Sequence, residues 1–84
     1  MNALNVAYYF LLKANYEGDL ITNLKLQKLL YYAQAWHLVN FEKPLFSEKL
    51  FAWDLGPVVS EVYQEFKKYG GRPIISTVKV MLKT

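Results

Sequence analysis

Eighty-four residues make a single small domain, which buries only about 60–65% of the surface its unfolded chain exposes. A content of 54% hydrophobic and 17% aromatic residues excludes a disordered chain, and the lack of cysteine excludes a disulfide framework and a thiolate metal site. The net charge of +3 rests on nine Lys and one Arg scattered along the chain, whereas a phosphate binder concentrates its cations on one face.

The opening stretch MNALNVAYYFLLK has no basic region before its apolar run and no small-residue cleavage site after it, which argues against a signal peptide. Its longest apolar run, residues 6–12, is far shorter than the roughly 20 residues of a membrane span. These features predict a cytoplasmic chain with no membrane partner. The segment itself reads as a helix over about 3–16, capped by Asn2 and closed by Gly18. Ala3, Leu4, Ala7, Phe10, Leu11 and Ala14 share one face of it.

Residues 22–40, TNLKLQKLLYYAQAWHLVN, predict the central helix, over about 23–39, with Thr22 or Asn23 as its cap. At 100° per residue it carries two apolar stripes on nearly opposite sides. Leu26, Leu29, Leu30, Ala33 and Trp36 form one; Leu24, Tyr31, Ala35 and Leu38 form the other. Gln27 and Gln34 fall in one polar gap between them, Lys25 and Lys28 in the second. A helix that is apolar on both sides belongs in the middle of a fold, so the first helix is expected on one stripe and the later elements on the other.

Pro44 ends any helical continuation, and 41–55 shows no clean period, which predicts an irregular segment whose Phe46, Phe51 and Trp53 fold inward. Gly56-Pro57 is the sharpest punctuation, and proline suits a first helical position. A third helix is expected over about 57–69, with Val58, Val59, Val62, Tyr63, Phe66 and Tyr69 on its apolar side. In the tail, Val78, Val80 and Leu82 alternate with polar residues, which predicts a strand over about 74–82. The fold class expected is therefore all-α, in one domain over 1–84 with a divergent tail at 72–84.

The chain offers little to catalysis. His37 is the only histidine and, without cysteines, cannot anchor a tetrahedral zinc site; its place at a stripe edge predicts a half-buried, hydrogen-bonded ring. Glu48 and Asp54 read as a solvated pair, no Ser or Thr has a nucleophile-elbow spacing, and Gly56, Gly70 and Gly71 fit no phosphate loop. The expectation is a protein that is not an enzyme and uses no cofactor or metal. Lys25, Lys28 and Tyr32 form a small basic-aromatic patch, but the helix that would read a groove carries Leu and Tyr where Arg, Asn or Gln are needed. Excess aromatics with modest charge favour protein binding. A small DNA-binding regulator, or an inactive fragment that self-associates through uncovered apolar surface, are the alternatives.

KLQKLLYYAQ at 25–34, Trp36-His37-Leu38, Pro44-Leu45-Phe46, AWDLGPVV at 52–59 and Val62-Tyr63 occur in order. Together they resemble the Panacea domain of SocA-like antitoxins and phage-associated GepA-like proteins, over about residues 5–70. The resemblance implies a helical antitoxin of a bacterial or prophage toxin–antitoxin pair, with a cognate toxin as partner and, in one type, delivery of that toxin to an ATP-dependent protease. Its motif positions here are Lys25, Gln27, Lys28, Tyr31, Tyr32, Trp36, His37, Trp53, Gly56 and Pro57. Family members continue with further helices where this chain has its strand-like tail, so a short or truncated member is expected.

Overall fold

The computed structural model describes residues 1–75. Its first element, α1 (Ala3–Glu17), starts where Asn2 Oδ1 accepts the Asn5 N–H at 2.8 Å and ends at Gly18 in the left-handed region. Ala3, Val6, Ala7, Leu11 and Ala14 are its buried residues. The small alanines let α1 lie close against the central helix, α2 (Asn23–Phe41). Thr22 caps α2 by accepting the Lys25 N–H at 3.3 Å.

Helix α2 runs two residues past its expected end. Asn40 turns its side-chain amide back to the Trp36 carbonyl at 2.8 Å instead of breaking the helix. The break falls at Glu42, which takes φ 58° and donates its N–H to the Leu38 carbonyl at 2.9 Å. A non-glycine residue held there costs about 1–2 kcal/mol.

The all-α expectation is corrected by the next segment, which makes the chain a mostly helical α/β fold. Strand β1 (Leu50–Trp53) forms inside the stretch read as irregular, and β2 (Gly56–Val59) takes the residues read as the start of the third helix. They pair antiparallel around the two-residue turn Asp54-Leu55, with Trp53 opposite Gly56 and Leu50 opposite Val59. Gly56, at φ 121°, lies outside helical space, and β-branched Val58 and Val59 suit a strand. The helix starts only at Ser60: α3 (Ser60–Glu65) is six residues long and is followed by a 3₁₀ turn, Lys67–Tyr69. Val59 gives α3 no side-chain cap, which is consistent with so short a helix.

One hydrophobic cluster joins these elements. Leu11, Leu26, Leu30, Phe46, Val59 and Val62 are almost wholly buried in it. Phe46 folds inward as expected, whereas Phe51 and Trp53 keep 47% and 40% of their surface exposed. After the 3₁₀ turn the chain returns to the α1–α2 linker. There the N–H of Ile74, which is fully buried, donates to the Ile21 carbonyl at 2.8 Å. Ile74 and Ile75 are in neither helix nor strand, and the rest of the tail strand expected over 74–82 lies outside the described residues.

Candidate functional site

Two faces of α2 divide the family-like motif between them. The inner face is a polar clasp. Asn23, Gln27 and Gln34, at spacings of four and seven, stack along one side of the helix. Asn23 Nδ2 donates to the Tyr63 carbonyl at 3.1 Å, and Gln27 Nε2 donates to Asn23 Oδ1 at 3.0 Å. Gln27 Oε1 then accepts the Val59 N–H at 2.9 Å. Two turns on, Gln34 Oε1 accepts the Leu45 and Phe46 N–H groups at 2.7 and 3.3 Å, while its Nε2 donates to the Phe46 carbonyl at 2.8 Å.

The clasp follows from the hairpin register. Pro57 has no N–H, so its pair with Ala52 falls at a position without ladder bonds. Alternation then turns the Val59 N–H out of the ladder as well, toward α2, where Gln27 meets it. Asn23 and Gln27 are 3% and 1% exposed, so each amide replaces water that the backbone groups have lost. The later elements therefore dock on the Gln27/Gln34 gap and not on the second apolar stripe.

That second stripe stays on the outside. Leu24, Tyr31 and Leu38 are exposed, and the arc continues through Tyr32, Trp36 and Val39, of which Tyr32 and Trp36 are 64% and 62% exposed. Tyr31 and Tyr32 lie 5.6 Å apart between ring centroids, and Trp36 sets its ring edge-to-face on Phe41 at 5.9 Å. Lys25 and Lys28 share this arc; the ion pair recorded among the described residues is Lys13 with Glu17, at 3.8 Å. Beside the start of α2, a cleft of about 470 Å³ is walled by Leu24, the hairpin tip and Tyr63. Within it Trp53 and Tyr63 meet edge-to-face at 5.0 Å.

The ten motif residues thus fall into three places. Lys25, Lys28, Tyr31, Tyr32 and Trp36 share the outer arc. Gln27 faces inward, and half-buried His37 holds the following loop, with Nδ1 2.8 Å from the Lys43 carbonyl and the ring on Phe41 at 4.7 Å. Trp53, Gly56 and Pro57 belong to the hairpin. The sequence offered Asn23 only as a helix cap, Gln34 only as a polar-gap residue and Tyr63 only on the apolar side of the third helix and in the motif order, none of them as a site residue. Gln34 shares its polar gap with Gln27, and that shared gap was the signal for it. Glu48 and Asp54 are separated in role: Glu48 Oε2 accepts the Ala3 N–H at 3.1 Å at the start of α1, while Asp54 sits in the hairpin turn. One titrating group is perturbed at the α1–α3 contact. Partial burial, then the Glu65 carboxylate, which accepts the Tyr8 hydroxyl at 3.4 Å, raise the Tyr8 pKa above its usual value. Among the described residues no helix is long and apolar enough to cross a membrane, and no three His, Cys, Asp or Glu side chains cluster as metal ligands.

The family described as "Antitoxin SocA-like, Panacea domain" matches residues 26–82, from inside α2 through the hairpin and into the tail. The protein "Antitoxin SocA" of Caulobacter vibrioides (strain NA1000 / CB15N) is 45% identical over 56 residues, which cover 67% of this chain and 30% of that protein. The chain thus spans less than a third of that relative's length. No solved structure matches the chain.

Proposed function

The chain belongs to the SocA-like Panacea family, and from that premise we propose that it is an antitoxin-type binding module. In this reading it neutralises a cognate toxin of a bacterial or prophage toxin–antitoxin pair in the cytoplasm, by direct contact and without catalysis. The observation that carries the reading is the outer arc of α2. A central helix of a small domain leaves Tyr31, Tyr32, Trp36, Leu38 and Val39 in water, and Tyr and Trp are the side chains that anchor protein interfaces. Trp53 and the hairpin cleft extend that surface. The bound toxin would then be inactive through occlusion, and delivery to an ATP-dependent protease would be a second consequence of the same contact.

Co-expression with any toxin-like reading frame that neighbours its gene tests this reading. Rescue of growth is expected, and failure to rescue from any neighbouring toxin overturns it. Adaptor activity further requires that the toxin's half-life shorten when this chain is present.

A further inference from the structure

The outer arc of α2 combines apolar surface with positive charge that the described residues leave unbalanced. Lys25 and Lys28 stand one turn apart, and Tyr32 and Trp36 continue the same side of the helix at steps of four. Between Asn23 and Phe41 there is no Asp or Glu. Among the described residues neither lysine has a carboxylate within ion-pair distance, although Lys13 and Glu17 on α1 do pair. The stretch from Lys25 to Val39 spans about 21 Å at helical rise, close to four turns.

We propose that this arc docks an acidic amphipathic helix of a partner protein. Apolar side chains of that helix pack between Tyr32, Trp36 and Val39, and its carboxylates meet Lys25 and Lys28. The proposal rests on the antitoxin reading and specifies the chemistry of the element by which the toxin is held. Side chains in rows of three and four residues are what a second helix interdigitates with, which favours a helix over a loop. Charge selects among occupants. A second copy of this chain brings the same two lysines and no carboxylate on α2. Nucleic acid would meet two lysines, no arginine on α2, and Leu24, Leu38 and Val39 where donors are needed.

The full chain is titrated with two synthetic amphipathic peptides of roughly 18 residues, about 27 Å as helices, that share a leucine face and carry either Glu or Lys beside it. In dilute salt the Glu peptide is expected to bind about tenfold tighter or more, with the gap narrowing toward 1 M salt. Amide shifts should cluster between Lys25 and Val39. The double variant Lys25→Glu with Lys28→Glu should reverse the preference and keep its thermal midpoint, because both positions are exposed.

Equal binding of the two peptides overturns the proposal, as does a folded double variant that still prefers the Glu peptide. So does a dimer by light scattering that neither peptide dissociates, or duplex DNA that outcompetes the Glu peptide. Growth rescue separates the two readings. Peptide discrimination without rescue removes the toxin and keeps the docking chemistry, whereas rescue without discrimination does the reverse.

Discussion

The inner and outer faces of α2 use neighbouring residues of one motif for opposite ends. Gln27 and Tyr32 are five positions apart, yet Gln27 is 1% exposed with both ends of its amide bonded, and Tyr32 is 64% exposed. The inner face is specified by hydrogen bonds that water cannot replace, whereas the outer face carries aromatic and apolar side chains that the described residues leave exposed. Residues of one recognisable motif therefore need not share one role. Here Gln27 builds the fold, Lys25, Lys28, Tyr32 and Trp36 are exposed among the described residues, and His37 secures a loop.

The sharpest way to break this contrast is to truncate both faces. Gln27→Ala leaves the Val59 N–H and Asn23 Oδ1 without their partners in a buried site, and should destabilise the domain by about 3 kcal/mol. Tyr32→Ala should change stability by no more than about 0.5 kcal/mol. Urea unfolding of the two variants decides the matter, and equal losses would erase the distinction. A smaller effect of opposite sign is expected where α2 ends: Glu42→Gly removes the left-handed strain and should stabilise by about 1 kcal/mol, read as a higher urea midpoint.

The smallest effect belongs to Tyr8, at the α1–α3 contact away from both faces. Its raised pKa means that folding favours the neutral phenol. The associated stability is complete below the unfolded value of about 10 and is lost as pH rises through the folded value. Tyr8→Phe should therefore flatten the alkaline arm of a stability–pH curve above about pH 10 and leave neutral pH stability nearly unchanged. An alkaline arm identical to that of the parent chain would contradict this.

Much of the helical architecture is readable from local rules. Asn2, Thr22 and Gly18 mark helix ends because a cap is chemistry between residues a few positions apart. The first stripe of α2 meets α1 through Leu26 and Leu30, whereas Trp36, read as part of the same stripe, is exposed on the outer arc. The hairpin is different. Gly56-Pro57 serves equally as the start of a helix or as an edge-strand position, and Asp54-Leu55 lacks the Asn-Gly or Asp-Gly signature of a tight turn. What favours the strand is a bond between Val59 and Gln27, 32 residues apart, which no local window contains. The same missing contact sent the later elements to the wrong side of α2 in the sequence reading. The antitoxin-family resemblance was legible because its two motif segments, at 25–34 and 52–59, are the helix and hairpin that the clasp brings together.

The clasp has one more consequence. Gln27 and Gln34 grip main-chain atoms, namely the amides of Leu45, Phe46 and Val59 and the carbonyl of Phe46. Every residue but proline offers the same amide, so the grip does not depend on which side chains the hairpin displays. Phe51, Trp53, Asp54 and Leu55 can change identity while the strand pair stays where it is. The domain thus has a fixed mount with an interchangeable tip, and a library varied at those four positions should keep the fold while altering what the surface selects.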